Sequence, residues 1–173
     1  MTTEVIGLNS TKAEPFFERH AWKVLLGVSL LVGFFGVGDM LGGASDLQNG
    51  ETIMMHSLTD MSWNELQAAD PNAANLIDLK FRTDGASLVM IAALSATICL
   101  TGFRRGQRWA WYALWALPAW MALTVFFVFN AVKYPRYGTP VPVISGSILF
   151  VVCATCLGLS YRKFFKKESS NRS

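Results

Sequence analysis

Residues 104 to 120 read Arg-Arg-Gly-Gln-Arg-Trp-Ala-Trp-Tyr-Ala-Leu-Trp-Ala-Leu-Pro-Ala-Trp. Arg104, Arg105 and Arg108 are followed by an aromatic and aliphatic run with no charged side chain before Lys133. A helix needs about 20 residues, at about 1.5 Å each, to cross a hydrocarbon core roughly 30 Å thick. The run meets that length, so it predicts a membrane-spanning helix whose positive end is fixed by the arginines.

The rest of the 173-residue chain repeats this pattern. Its residues are 52% hydrophobic and only 16% charged, which is too apolar for a soluble globular protein. Four apolar blocks have the length of a spanning helix, at residues 22–42, 85–103, 109–132 and 141–161. The sequence therefore predicts one all-α integral membrane domain over residues 1–173, built as a four-transmembrane-helix bundle.

The positive charges are divided unequally between the two sides of these spans. Eleven of the fifteen Lys and Arg residues lie in or beside the N-terminal arm (1–21), in the turn at 104–108, or in the C-terminal tail (162–173). The loop at 43–84 and the short third connection hold the other four. Because Lys and Arg in short loops stay on the cytoplasmic side, we expect both termini in the cytoplasm and residues 43–84 outside.

The N-terminal arm does not resemble a signal peptide, because its polar region is long and contains Glu14 and Glu18. Gly42, Gly43 and Ala44 still match the small-residue pattern that signal peptidase cuts. Cleavage after Ala44 therefore stays open as an alternative to a retained first span.

The outer loop carries two helix-start signals. Ser62 and Glu65 have the spacing of a capping box, which predicts a short helix from Trp63 to Ala69. Asp70 followed by Pro71 predicts the start of a second amphipathic helix that leads into the next span. We expect these helices to cover the outer ends of the bundle.

Several of these motifs together resemble a known group of proteins. They are Met61-Ser-Trp-Asn-Glu-Leu66, Asp70-Pro71, Arg82-Thr-Asp-Gly85 and Arg104-Arg-Gly-Gln-Arg-Trp-Ala-Trp111. The combination is similar to that of small, uncharacterised four-pass bacterial membrane proteins. The resemblance implies a four-pass fold with an outer helical loop, and it implies no activity. The predicted location is the bacterial inner membrane, while the space that the outer loop faces is left open.

The first span is rich in small residues four positions apart. Ser29 precedes Gly33 by four residues, and Gly38 precedes Gly42 by four. Small residues at this spacing let helix backbones approach closely in lipid. We expect this face to contact another helix, either in the same chain or in another copy.

The inner rim of the bundle is basic. We predict contact with the headgroups of anionic inner-leaflet lipids, to which each cation near the surface contributes about 1 kcal/mol of attraction. A cytosolic partner is the alternative, whereas nucleic acid is not expected because the patch is short and held at the membrane. The cations are Arg104, Arg105, Arg108, Arg162, Lys163, Lys166 and Lys167.

Cysteines and histidines give little sign of chemistry. Cys153 and Cys156 form a C-x-x-C inside the fourth span, which fits buried packing better than a redox or metal role shared with Cys99. His20 and His56 are predicted on opposite sides of the membrane, which argues against a haem or shared metal site between them. We predict no cofactor and no metal.

Polar residues near the outer ends of the spans are the main candidate site. Asp39, Arg82, Asp84, Asn130 and Lys133 should lie at one level. An ionisable side chain is costly to place near lipid, so it usually pairs with another polar group and often marks a functional site. We predict that Asp39 pairs with Arg82 or Lys133, either as a structural ion pair or as part of a small-ligand or proton-linked site.

The sequence favours a non-catalytic accessory subunit or scaffold over an enzyme. A small transporter or a ligand- or lipid-binding protein that uses the Asp39 level is the alternative. A membrane thiol oxidoreductase is a third, more distant hypothesis. The partner, whether another membrane protein or a second copy of the chain, is left open.

Overall fold

A computed structural model describes residues 16–44 and 53–165. The described chain is helical and contains no strand, so the predicted all-α class is confirmed. The helices are α1 (Phe16–Gly42), α2 (Ile53–Thr59), α3 (Trp63–Ala69), α4 (Pro71–Ile98), α5 (Arg108–Leu114), α6 (Ala116–Ala131) and α7 (Val141–Phe165). A π-helical segment, Cys99–Phe103, continues α4, and a 3-10 turn, Pro135–Tyr137, precedes α7.

Four helical stretches are long and apolar enough to cross a membrane. They are Arg19–Gly42, Pro71–Phe103, Arg108–Ala131 and Val141–Phe165. At most 28% of the residues in the apolar window of each stretch are buried within the chain, so most side chains face outward. The four-span bundle is therefore confirmed, with an exterior suited to lipid or to other helices.

The outer loop differs from its prediction in two ways. The predicted second loop helix and the second span form one continuous helix from Pro71, and the part before Gly85 extends roughly 21 Å at the α-helical rise. Gly85, at the junction of the two parts, does not interrupt this helix and lies where α1 crosses it. The sequence reasoning also missed α2.

The two predicted helix starts in this loop are confirmed. Ser62 Oγ accepts a hydrogen bond from the Glu65 N–H at 3.2 Å, and Glu65 Oε2 accepts one from the Ser62 N–H at 2.7 Å. Asp70 Oδ1 accepts hydrogen bonds from the N–H groups of Asn72 and Ala73, both at 3.1 Å. Helix α3 begins and ends where predicted because its capping signals are local.

The most extensive packing in the bundle joins α1 to α4, followed by α6 with α7. A Cβ atom built at Gly36 would lie 2.8 Å from the Gly85 carbonyl oxygen, so the two backbones touch at this crossing. Gly33 faces Ala92 in the same way, with 3.1 Å between a built Cβ and the Ala92 Cβ. The expected close packing of small residues is therefore found within the chain. Gly38 has no neighbouring atom within 4 Å of a built Cβ and takes no part in it.

The third span is interrupted at Trp115, between α5 and α6. Pro118 has no N–H to donate to the Leu114 carbonyl one turn earlier, which explains the break and agrees with the proline in the sequence. The Trp111 indole donates to the Leu157 carbonyl on α7 at 2.9 Å, which ties the two helices together. The Trp115 Nε1 is buried without a hydrogen-bond partner among the described residues.

The turn between the second and third spans is a Schellman motif. The Gln107 N–H donates to the Gly102 carbonyl and the Gly106 N–H to the Phe103 carbonyl, both at 3.0 Å. Gly106 has φ of +72°, a conformation that favours glycine. This turn fixes the directions in which Arg104 and Arg105 leave the second span.

Candidate functional site

Two charged side chains on α4 hold the C-terminal end of α1, which the charge distribution predicts to be the outer end. Arg82 Nε lies 2.8 Å from Asp78 Oδ2, and Arg82 Nη1 donates to the Leu41 carbonyl at 3.2 Å. The Ala44 N–H donates to Asp78 Oδ1 at 2.7 Å. A cation beside the last carbonyls of a helix and an acceptor for the N–H beyond it satisfy groups that the helix leaves open. We call Asp78 and Arg82 the outer clamp.

The structure brings only some of the predicted outer-level residues together. Asp39 is half-buried in the last turn of α1, beside the carbonyl groups that Arg82 contacts. Asp84 is exposed and pairs with Lys80 on its own helix. The exposed Asn130 donates to the Phe126 carbonyl of α6 at 2.7 Å. The pairing of Asp39 with Arg82 or Lys133 stays a prediction.

A second polar cluster joins the outer loop to the third connection. Asp60, at the end of α2, accepts hydrogen bonds from Tyr137 Oη and Arg136 Nη2. The Ser57 carbonyl accepts from the N–H groups of Lys133 and Tyr134, both at 2.9 Å. We call Asp60, Arg136 and Tyr137 the outer latch.

The latch has an unusual backbone and an unsatisfied neighbour. Asp60 has φ of +62°, in the left-handed region that Asp tolerates better than most residues. The His56 ring lies 5.0 Å from the Tyr137 ring, and its Nδ1 is buried without a partner among the described residues. The latch positions α2 against the connection before α7.

The latch predicts a stability change in acid. The hydrogen bond from Tyr137, and then the one from Arg136, lowers the pKa of Asp60 below its usual value. A carboxyl group with a lowered pKa in the folded state stabilises that state above its unfolded pKa of about 3.9, and this contribution is lost as pH falls through the folded value. We expect the thermal midpoint of Tyr137→Phe to fall less than that of the wild type below about pH 4.

The matched control for this experiment is Tyr134→Phe, because the Tyr134 side chain contacts the latch through its ring beside Arg136, whereas the hydroxyl that donates to Asp60 belongs to Tyr137. Thermal unfolding in detergent between pH 7 and pH 3 measures the difference. Equal acid sensitivity of the wild type and Tyr137→Phe would show that Asp60 does not act through this hydrogen bond.

The cysteines and histidines show no assembled centre. Cys99, Cys153 and Cys156 are free thiols buried within the bundle, which fits the predicted packing role. His20 lies near the start of α1 and His56 lies in α2. Within residues 16–44 and 53–165, no three His, Cys, Asp or Glu side chains are arranged to hold a metal ion.

A shallow groove runs along the outside of the bundle between α1 and α4. It has a volume of about 370 Å³ and is open along its length. Large side chains at its edge, including Leu30 and Phe34, are exposed. Small residues line it as well, namely Ser29, Gly33, Ala92, Ala93 and Ala96.

Cations and aromatic rings alternate at the opposite end of the bundle, which is predicted to be the inner end. Arg104 lies over the Trp22 ring, and Arg108 lies over the Phe165 ring with its Nε 3.2 Å from the Phe164 carbonyl. The predicted headgroup contacts at Arg105, Arg162 and Lys163 belong to the same end. Lys166 and Lys167 lie outside the described residues.

Sequence reasoning missed the outer latch and one member of the outer clamp. Asp60 and Arg136 are 76 residues apart, and no local signal joins them. Asp78 and Arg82 are four residues apart on a predicted helix, so their spacing could have identified the pair.

Comparison of the chain with protein-family models, with curated proteins and with solved structures found no match.

Proposed function

We propose that this integral membrane protein is a non-catalytic accessory subunit or scaffold that packs against a helix of another membrane protein. The groove between α1 and α4 is the observation that carries the proposal. Its small lining residues let a second backbone approach, and its exposed large apolar side chains suit contact with another helix in lipid.

The polar groups near the outer face support the same function. The outer clamp and outer latch bind charged side chains to one another and to backbone groups of this chain. Such pairs hold loops and helix ends in place. A fixed outer surface and a fixed α1–α4 pair are suited to presenting one defined face to a partner.

The charge distribution supports an orientation with both termini in the cytoplasm. Arg104, Arg105 and Arg108 lie at one end of the spans, and Asp60, Asp78 and Asp84 lie at the other. Under the positive-inside rule the arginine end is cytoplasmic. The proposed location is the bacterial inner membrane, on the resemblance described above.

Native mass spectrometry of the protein, extracted from its own membrane in mild detergent, tests the proposal. We expect a defined additional protein mass that is lost in Ala93→Phe, because Ala93 lies in the groove. Ala119→Phe is the matched control, since Ala119 is exposed on α6, away from the groove.

The result also separates the kinds of partner. A mass equal to one further copy of the chain would replace the accessory-subunit proposal with a homo-oligomer. A folded monomer that carries no added protein would contradict the proposal. Equal loss of the added mass in Ala93→Phe and Ala119→Phe would show that the partner does not bind in the groove.

The position of Asp39 favours a second candidate, a small transporter or ligand-binding protein. Asp39 is half-buried in α1 where Gly85 of α4 crosses, beside the carbonyl groups that Arg82 contacts. This function predicts a retained small mass in the same spectra that disappears in Asp39→Asn. A small mass that persists in Asp39→Asn would exclude this site.

A further inference from the structure

We propose that Trp22, Lys23 and Arg104 form a defined binding site for the phosphate of an anionic phospholipid. This site contains only one cation of the predicted basic rim, Arg104. It adds two residues of α1, Trp22 and Lys23, that are not among the predicted headgroup contacts.

The geometry of the site depends on one aromatic ring. Arg104 Cζ lies 5.1 Å from the centroid of the Trp22 ring, and Lys23 Nζ lies 5.8 Å from it. Arg104 Cζ and Lys23 Nζ are therefore at most about 11 Å apart. Both side chains are exposed, so both charges can reach a headgroup.

The ring and Arg104 are held in place by the fold. Trp22 is half-buried and packs against the core of the bundle. Arg104 ends the second span, where its N–H donates to the Cys99 carbonyl at 3.0 Å just before the Schellman turn. Because Lys23 and Arg104 come from α1 and from the end of the second span, the site forms only when these helices pack together.

The electrostatics of the site favour an anion. Among the side chains that the structure describes, no carboxylate forms an ion pair with Lys23 or Arg104. Two neighbouring cations repel each other, and an anion between them relieves that repulsion. A guanidinium group can bind two phosphate oxygens together, while the Lys ammonium adds a point charge.

The depth of the site identifies the anion as a lipid. Tryptophan is enriched at the level of the headgroups, and Trp22 lies at the inner end of a membrane-spanning helix. The cytoplasmic leaflet is rich in anionic lipid, so the proposed ligand is the phosphodiester of an anionic glycerophospholipid.

The test uses the full chain, purified in mild detergent and stripped of lipid. Dioctanoyl-phosphatidylglycerol and dioctanoyl-phosphatidylcholine are titrated separately, and bound lipids are counted by native mass spectrometry. We expect the anionic lipid to bind first. Arg104→Gln should weaken its binding about tenfold, because a charge-assisted contact is lost.

Arg105→Gln is the matched control, because it removes the same charge one residue away. Arg105 is exposed, whereas the cations described beside the Trp22 ring are Lys23 and Arg104. Arg105 adds only to the general attraction of the basic rim, so we expect this variant to weaken binding of the anionic lipid less than Arg104→Gln does. We expect Arg104→Lys to retain part of the affinity. Lys23→Gln removes the other cation of the site, which lies on α1, and tests the proposal if Arg104→Gln does not fold.

Three results would overturn the proposal. Equal weakening by Arg104→Gln and Arg105→Gln would show diffuse attraction to the basic rim. Equal binding of the two lipids would show no preference for the anion. Displacement of the lipid by an equal concentration of inorganic phosphate would identify a free-phosphate site.

Discussion

Gly85→Ala is expected to force α1 and α4 apart and to lower the free energy of unfolding by about 1–3 kcal/mol. A Cβ atom built at Gly85 would lie 2.7 Å from the Gly36 carbonyl oxygen and 2.9 Å from the Asp39 carbonyl carbon. These are backbone atoms, which cannot rotate away as a side chain can. In lipid, helix association depends on close packing, so the displaced helices lose a main source of their stability.

Two other glycines of α1 provide controls for this prediction. A Cβ built at Gly27 or Gly38 meets no atom within 4 Å. Ala has the higher helix propensity, so Gly27→Ala and Gly38→Ala should keep or raise the stability, by up to about 1 kcal/mol. Unfolding by sodium dodecyl sulfate, followed by loss of helix signal, measures all three variants. If Gly85→Ala unfolds at the same concentration of sodium dodecyl sulfate as the two controls, the backbones of α1 and α4 are not in contact at this crossing.

Local signals account for the parts of this fold that could be predicted. Each span follows from an apolar run that is long enough to cross the membrane, independently of the rest of the chain. The capping box at Ser62 and Glu65 and the cap at Asp70 act within three residues, and both are found in the structure. Pro118 removes one hydrogen-bond donor, and the break appears within one turn of it.

The crossing of α1 and α4 was predictable only in part. Glycine spacing indicates that a helix face packs closely, but it does not choose between equivalent glycines on different faces. Gly36 contacts Gly85, although the spacing had drawn attention to Gly33, Gly38 and Gly42. The choice depends on where α4 lies, and that position is set by contacts along the whole bundle.

The candidate sites were predicted less completely than the spans, because their contacts join distant parts of the chain. Asp60 and Arg136 meet only after the bundle has brought α2 beside the third connection. Trp22 and Arg104 meet for a similar reason, since both lie at the inner ends of neighbouring helices. Charge counting predicts that this end is basic, but only the packed structure places Arg104 and Lys23 beside one shared ring, that of Trp22.

Arg82→Ala is expected to loosen the outer end of α1 and to lower the free energy of unfolding by about 1–2 kcal/mol. The side chain donates to the Met40 and Leu41 carbonyls and pairs with Asp78, so its loss removes this cation from the end of α1. The exposure of the pair to solvent keeps the effect below that of a buried ion pair. Hydrogen exchange at the amides of residues 41–44, together with thermal unfolding, measures the change.

Two further variants separate the roles of the outer clamp. Asp78→Asn keeps an oxygen that can accept from the Ala44 N–H but removes the charge beside Arg82, so it should weaken α1 less than Arg82→Ala does. Lys80→Ala is the matched control, because Lys80 also belongs to an i,i+4 pair on α4 but forms it with the exposed Asp84. That exposed pair is worth at most about 1 kcal/mol. Faster exchange at residues 41–44 in Arg82→Ala but not in Lys80→Ala would establish that the clamp stabilises α1 through its carbonyl end. Equal exchange in the two variants would reduce the clamp to an ordinary surface ion pair.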